Sequence, residues 1–215
     1  MSEVTKYVEE GAASAEFICS DTLPNIFLIG DSIRKGYCKT VKDELAGKAE
    51  VFYFDDNCRS TQYVIFMIRK WANMFSDRSK VSLVHFNCGH WDTAHFSGTP
   101  ESLTSEEEYA RNIGKIIFLI RKLFPNAKII FATTTPMNPN GKVGTNPRYN
   151  HEIIRYNELA CDVCRREGVE INDLFAATRD WGEECFKDYC HLTKEAFETL
   201  GKMVAGRLLD DLTMM

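Results

Sequence analysis

Two short motifs at opposite ends of the chain carry residues that suit nucleophilic catalysis. Gly30-Asp31-Ser32 follows an apolar run near the N-terminus, and Asp188-x-x-His191 precedes the last helical pattern. A serine hydroxyl is a poor nucleophile until a base removes its proton, so it needs a histidine that a carboxylate holds in place. Because Asp188 and His191 are three residues apart, a tight turn can bring the carboxylate to Nδ1 and leave Nε2 for Ser32.

Each motif also has a purely structural interpretation. Ser32 stands between a strand-like run and a helical pattern, where serine commonly caps a helix, and D-x-x-H is short enough to occur by chance. The two roles of Ser32 are compatible, because the N–H groups at a helix start stabilise a developing oxyanion. Two other motifs are excluded. Arg34 replaces the second glycine of G-x-S-x-G, and the residues after Gly30 lack the spacing of a phosphate-binding loop.

Five apolar, partly β-branched runs alternate with helical patterns along the chain. Such alternation indicates βαβ units and a parallel sheet that is covered on both faces. Thr193 is expected to cap the final helix, with Glu195 in its first turn. We expect residues 1–24 to form an N-terminal arm and residues 25–215 to form a single domain. The runs cover 25–29, 49–54, 81–86, 127–132 and 169–173, and the helical patterns cover 34–46, 61–76, 105–123, 150–167 and 193–212.

Polar clusters follow four of the five predicted strands. In an open parallel sheet, ligands bind at the carboxyl ends of the strands. Loops are polar in general, so any one cluster means little, but their coincidence on one edge predicts a site there. The clusters are Gly30-Asp31-Ser32, Asp56-Asn57-Cys58-Arg59, Asn87-Cys88-Gly89-His90-Trp91-Asp92 and Thr133-Thr134-Thr135-Pro136.

The composition excludes several classes of protein. With 44% hydrophobic and 27% charged residues the chain is typical of globular proteins, and its net charge of −5 disfavours a nucleic-acid binder. No apolar stretch reaches the roughly 20 residues that cross a bilayer. The first twenty residues also lack the apolar core of a signal peptide. We therefore expect a cytoplasmic protein that binds neither membranes nor nucleic acids, with an oligomeric state that the sequence leaves open.

The eight cysteines are interpreted as reduced and mostly buried thiols. Cys161-Asp-Val-Cys164 has a metal or redox spacing, but it falls inside a predicted helix without a second close pair or His-x3-His. We expect no metal and no cofactor, although a thiol or zinc protein remains a rival interpretation. Cys58, Cys88 and Cys190 lie beside candidate site residues, which leads to the hypothesis that alkylation of the native protein lowers its activity.

Gly30-Asp31-Ser32 and Asp188-x-x-His191, in this order and with α/β alternation between them, resemble the SGNH/GDSL hydrolase superfamily. The resemblance covers nearly the whole chain. It implies a three-layer α/β/α sandwich with a five-stranded parallel sheet of flavodoxin-like type, and the activity of a serine esterase or acylhydrolase. It also implies Ser32 as nucleophile, His191 as general base and then acid, and Asp188 as the carboxylate that orients it.

The resemblance further implies an oxyanion hole with three donors. These are the N–H of Ser32, a backbone N–H after the second strand, and an asparagine side chain after the third. The second donor falls on Cys58, where the family has glycine, and its N–H survives the replacement. The third motif, usually Gly-x-Asn-Asp, begins at Gly89 and has Trp91 in the asparagine's place. We expect Asn87 to supply the side-chain donor, with Gly89 and Trp91 as alternatives.

The loops at the predicted strand ends are mostly polar, which favours a small acyl group on a polar alcohol. The expected activity is hydrolysis of a small ester, with acetyl as the acyl group and a carbohydrate as the alcohol. A short-chain lipid or thioester hydrolase is an alternative, and so is a weak or inactive carbohydrate-binding protein, which the altered third motif suggests. The expected substrate contacts are Asp31, Arg59, His90, Trp91 and Thr135.

Overall fold

A five-stranded parallel sheet forms the centre of the computed structural model, which describes residues 16–214. The strands lie in the order β2-β1-β3-β4-β5, which is the flavodoxin-like order. The predicted five-stranded parallel sheet is therefore confirmed. The strands are β1 (Asn25–Ile29), β2 (Glu50–Phe52), β3 (Val81–Phe86), β4 (Lys128–Ala132) and β5 (Glu170–Asn172).

Helices cover both faces of this sheet and complete the three layers. On one face α1 packs against α6, and on the other α3 packs between α2 and α4. The polar turns between strands and helices leave the carboxyl edge of the sheet open for a site. The helices are α1 (Ser32–Glu44), α2 (Thr61–Ala72), α3 (Glu106–Leu123), α4 (Asn150–Glu167), α5 (Leu174–Thr178) and α6 (Lys194–Thr213).

The inner strand β1 shows why the apolar runs form a doubly covered sheet. Successive side chains of a strand point to opposite faces. Ile26 and Leu28 accordingly join the core under α1 and α6, whereas Phe27 and Ile29 join the core under α2, α3 and α4. All four side chains are completely buried, and each contributes about 1.5–3 kcal/mol of hydrophobic stabilisation. A run without polar residues is therefore required at this position.

Several elements differ from the sequence predictions at their ends. β2 has three residues rather than the six of 49–54, because Phe54 leaves the sheet and stacks on Trp71 with ring centroids 4.5 Å apart. The short helix α5 was not predicted, and it begins where the Asp173 carboxylate accepts a hydrogen bond from the N–H of Ala176. Thr193 caps α6 as predicted, since its hydroxyl accepts from the N–H of Ala196.

The start of α1 corrects one expectation. Ser32 is the first residue of the helix and not its cap. The cap is Asp31, whose Oδ1 accepts a hydrogen bond from the N–H of Ile33 at 3.0 Å. The Ser32 hydroxyl is therefore not used to cap the helix.

Part of the predicted N-terminal arm packs against the loop between α2 and β3. The N–H of Phe17 donates to the carbonyl of Met74, and the N–H of Ser76 donates to the carbonyl of Phe17, both at 2.9 Å. The rings of Phe17 and Phe75 meet edge to face at 5.1 Å. Residues 1–15 of the arm lie outside the described residues. None of the helices within residues 16–214 is long and apolar enough to span a membrane.

The eight cysteines are all free thiols. Seven of them are buried and Cys185 is half-buried. Cys161 and Cys164 lie in α4, as the helical pattern predicted. Within residues 16–214 no three histidine, cysteine or carboxylate side chains are grouped so that they could hold a metal ion.

Candidate active site

The loops that follow β1 and β3 meet where the strand order reverses. β1 pairs with β2 on one side and with β3 on the other, and such a reversal opens a crevice at the carboxyl edge. The N–H of Asn87 donates to the carbonyl of Ile29 at 3.1 Å, which ties the two loops together. A Cβ atom at Gly30 would lie 1.9 Å from Oδ1 of Asn87, so only glycine allows this close approach.

Ser32, His191 and Asp188 form a chain of hydrogen bonds at this edge. Oγ of Ser32 lies 3.0 Å from Nε2 of His191, and Nδ1 of His191 lies 2.9 Å from Oδ2 of Asp188. Ser32 begins α1, whereas Asp188 and His191 belong to the turn before α6. Ser32 and His191 are 159 positions apart in the sequence. A hydroxyl next to a base that a carboxylate orients is the arrangement that activates a serine for attack.

The Asp188 carboxylate is fixed by its own turn. Its Oδ1 accepts hydrogen bonds from the N–H groups of Cys190 at 2.8 Å and His191 at 2.7 Å. Burial raises the pKa of Asp188, but these N–H groups and the His191 imidazole outweigh it and hold the pKa below its usual range. Asp188 is therefore ionised at neutral pH, and it selects the tautomer of His191 that carries a proton on Nδ1.

A small hairpin positions this turn. Phe186 and Leu192 pair in an antiparallel bridge, and the N–H of Lys187 donates to the carbonyl of His191 at 2.8 Å. Leu192 is buried in the core beneath α6, and Thr193 begins the helix cap. The histidine is thus held by backbone pairing on one side and by a capped helix on the other.

Two of the expected oxyanion donors lie at the start of α1 and in the loop after β3. The first N–H groups of an α-helix have no partner within the helix, and Ser32 supplies one of them at the start of α1. Asn87 is buried, and its Nδ2 donates to Oδ1 of Asp31 at 3.1 Å. A carboxylate only accepts hydrogen bonds, so the amide nitrogen must face Asp31, and its second N–H remains for another acceptor.

The loop after β2 differs from what the sequence predicts. The N–H of Cys58 donates to the carbonyl of Gly30 at 3.1 Å, and its Sγ accepts from the N–H of Gly30 at 3.2 Å. That N–H is therefore engaged by the turn after β1. The neighbouring Asn57 lines the cleft instead, and its Nδ2 has no hydrogen-bond partner among residues 16–214 while its Oδ1 accepts from the N–H of Arg59. Sequence reasoning placed Asn57 in a polar cluster but assigned it no role.

A cleft of about 400 Å³ opens over these groups, which is within the usual size range of small-molecule sites. Polar and aromatic side chains form most of its wall. The lining residues are Ser32, Asn57, His90, Trp91, Arg148, Asp188, Tyr189, Cys190 and His191.

Of the five expected substrate contacts, His90 and Trp91 line the cleft and the other three do not. Asp31 is completely buried as the cap of α1, and Arg59 is exposed with its guanidinium 4.8 Å from the ring of Tyr63. Asp31 cannot contact a substrate from this buried position, so that expectation is corrected, whereas Arg59 lies outside the residues that line the cleft and stays a prediction.

Thr135, the third of these, lies behind the wall. Its Oγ1 is 3.1 Å from Nε2 of His90. Burial lowers the pKa of His90 to about 4, so the imidazole is neutral at pH 7. Gly89 packs against Thr134, whose Oγ1 would lie 2.0 Å from a Cβ atom there. Thr135 and Gly89 therefore shape the cleft from behind.

Arg148 is a lining residue that the sequence analysis missed. It lies just before α4 in the loop after β4, with its Nε donating to the carbonyl of His90 and its Nη1 to the hydroxyl of Tyr189 at 2.6 Å. Its guanidinium carbon is 6.0 Å from the centre of the Trp91 ring. A single arginine in a polar loop belongs to no motif with a defined residue spacing, so the sequence does not indicate that it lines the cleft.

The cysteines next to the site are buried. Burial raises the pKa of Cys58 to about 11 and of Cys190 to about 12, and it holds the pKa of Cys88 well above its usual value. Because the thiolate is the reactive form, all three are poor nucleophiles at neutral pH. These environments argue against the hypothesis that alkylation lowers the activity.

Comparisons with known proteins found a family model, curated relatives and solved structures that are similar to this chain. Residues 28–198 match the model of the GDSL-like lipase/acylhydrolase family. A GDSL esterase/lipase of Arabidopsis thaliana is 28% identical over 207 residues, covering 86% of this chain and 77% of the relative. The lipase/acylhydrolase from Enterococcus faecalis has a similar structure, with a TM-score of 0.69, 18% identity, and coverage of 88% of this chain and 97% of that one. A carbohydrate acetylesterase from Sinorhizobium meliloti has a TM-score of 0.66 and 14% identity over 86% and 98% of the two chains.

Proposed function

Because this chain belongs to the GDSL-like lipase/acylhydrolase family and is therefore a carboxylic ester hydrolase, we propose that it removes a small acyl group from a polar alcohol. The acyl group is acetyl, and the alcohol is a carbohydrate or a similar polyol. The observation that carries the proposal is the chain of hydrogen bonds from Ser32 Oγ to His191 Nε2 and from His191 Nδ1 to Asp188.

In the proposed mechanism, Ser32 Oγ attacks the acyl carbonyl carbon while Nε2 of His191 takes the hydroxyl proton. The ionised Asp188 stabilises the imidazolium that forms, and it does not take the proton itself. His191 then donates the proton to the leaving alcohol, which produces an acyl-enzyme on Ser32. Water attacks this ester with His191 again as base, releasing the carboxylic acid and restoring Ser32.

The proposed oxyanion hole consists of the Ser32 N–H and the side-chain amides of Asn87 and Asn57. Asn57 takes the place of the Cys58 N–H, because that group already donates to Gly30. The start of α1 adds a partial positive charge where the oxyanion forms. Each donor of this kind contributes about 10²–10³ in kcat. A matched pair, Asn57→Ala and Cys58→Ala, separates the two assignments, since Cys58→Ala keeps its backbone N–H.

The size and lining of the cleft support a small acyl group. A volume of about 400 Å³ is shared by both parts of the ester, and its wall contains charged and polar groups beside the rings of Trp91 and Tyr189. Long acyl chains need a continuous apolar channel, whereas sugar hydroxyls suit polar groups interleaved with aromatic faces. The fold shared with a carbohydrate acetylesterase is in keeping with this choice.

The test is a series of p-nitrophenyl esters from acetyl to decanoyl, with acetylated sugars assayed for released acetate. We expect kcat/KM to be highest for acetyl and to fall with chain length. A steady rise towards decanoyl would refute the small acyl group and favour the lipid alternative. Labelling with a fluorophosphonate, with Ser32→Ala as control, tests the nucleophile. Saturable sugar binding without labelling would instead identify a carbohydrate-binding protein.

A further inference from the structure

Arg148 places a positive charge in the wall of the cleft, and no carboxylate within the described residues pairs with it. Within residues 16–214 its hydrogen-bond partners are the carbonyls of His90 and Asn146 and the hydroxyl of Tyr189, and none of these is charged. Arg155 in α4 and Arg207 in α6 differ, since Arg155 pairs with Glu106 and Arg207 pairs with Glu170 and Asp211. A cation that faces a cleft with neutral partners alone can still bind an anion.

The guanidinium of Arg148 is already held in place. Its Nε and Nη1 are used for the three neutral acceptors, and the Trp91 ring lies 6.0 Å from its central carbon. Its Nη2 has no protein partner in the described part of the chain, and it is not a buried atom. A fixed guanidinium with unused N–H groups is well suited to the oxygens of a carboxylate or phosphate.

The other charged groups near the cleft do not compete for this cation. The Asp188 carboxylate is engaged by the imidazole of His191 and by two backbone N–H groups. Asp31 is completely buried and bonded to Asn87 and the start of α1. The chain as a whole carries a net charge of −5, so long-range attraction does not explain an anion here. Any preference for anions must come from the local site.

We propose that Arg148 binds an anionic oxygen group, a carboxylate or a phosphate, on the alcohol part of the ester. This inference rests on the proposed function, in which the oxyanion donors hold the acyl oxygen. Acetyl itself carries no charge, so an anion in the cleft belongs to the alcohol. The substrate class is therefore an acylated acidic sugar or another acylated anionic alcohol.

The experiment compares three substrates with one acetyl group at the same hydroxyl: methyl glucoside, glucuronate and glucose 6-phosphate. For the wild type we expect kcat/KM to favour at least one anionic ester about 10-fold or more over the neutral one, a difference of about 1.4 kcal/mol. Salt should reduce this preference. In Arg148→Gln the preference should disappear. If Arg148 only holds the surrounding loops in place, Arg148→Gln would lower all three rates and leave their ratios unchanged. That result would overturn the proposal.

A charge-matched control and a binding assay complete the test. Arg111→Gln removes one positive charge from α3, where Arg111 pairs with Glu107, and it should keep the wild-type ratios. Binding of glucuronate and glucose 6-phosphate is measured calorimetrically on Ser32→Ala with and without Arg148→Gln. If the anions bind only when Arg148 is present and the wild type hydrolyses none of the esters, the anion site is supported and the esterase activity is refuted. If the wild type and Arg148→Gln both hydrolyse the esters with the same ratios of kcat/KM between anionic and neutral substrates, the esterase activity is supported and the anion site is refuted.

Discussion

His85 couples the stability of the fold to pH. It lies in the central strand β3 and is completely buried. Its Nδ1 has no hydrogen-bond partner among residues 16–214, and its Nε2 lies 3.2 Å from the side-chain nitrogen of Asn172. The pKa of His85 is lowered from 6.5 to about 4, chiefly by burial and in addition by the positive charge of Arg207, whereas Asp211 acts in the opposite direction. The folded protein thus holds His85 neutral at a pH where the unfolded chain binds a proton.

The sign and size of the effect follow from linkage. As pH falls below 6.5 the unfolded state gains a proton that the folded state does not take up until about pH 4, so the free energy of unfolding decreases over this window. The difference between 6.5 and about 4, at about 1.36 kcal/mol for each pH unit, corresponds to about 3 kcal/mol in full. At pH 4.5 most of this stabilisation is already lost.

The assay is urea unfolding of the wild type and His85→Gln at pH 7.0 and 4.5. Gln is neutral throughout, so we expect the wild type to lose about 2 kcal/mol more than the variant between the two pH values. Other titrating groups are present in both proteins and cancel in this comparison. His151→Gln removes an exposed histidine and should behave as the wild type does. Equal losses in the wild type and His85→Gln would refute the reasoning.

Three further results are expected. Asn57→Ala should lower kcat for an acetyl ester about 10²–10³-fold with little change in KM, and an unchanged kcat would remove Asn57 from the oxyanion hole. Iodoacetamide at neutral pH should label the half-buried Cys185 first and leave the activity intact, whereas inactivation that parallels labelling of buried thiols would contradict their environments. Gly201→Ala should lower the free energy of unfolding by about 1–3 kcal/mol in a thermal unfolding assay, because its new Cβ would lie 2.6 Å from the Cβ of Thr40 across the α1–α6 contact. Gly206→Ala is the control: its new Cβ would lie more than 4 Å from the described atoms other than the neighbouring backbone of its own helix, so this variant should not be destabilised.

The sequence predicted those parts of the fold that depend on hydrophobic pattern. β1 and β3 have the predicted bounds, because most of their residues are apolar and buried, and α4 begins and ends where its periodicity does. The ends of β2 and the short helix α5 were not predicted. They depend on tertiary contacts, such as the stacking of Phe54 on Trp71, that leave no periodic signal.

The candidate site shows the same division. Ser32, Asp188 and His191 were identified because their residue types and order carry a chemical signal, and the structure brings them within hydrogen-bond distance. Which N–H groups face the cleft depends on loop geometry instead. Cys58 uses its N–H for Gly30, and Arg148 reaches the cleft from a loop far from both motifs.

The most direct test of the central claim is the rate of p-nitrophenyl acetate hydrolysis by the wild type and by Ser32→Ala, both purified and shown to unfold at the same urea concentration. If Ser32 is the nucleophile, the wild type turns over and the variant is slower by roughly 10⁴- to 10⁶-fold. Equal rates in the two proteins would contradict the account, because Ser32 would then be only the first residue of a helix.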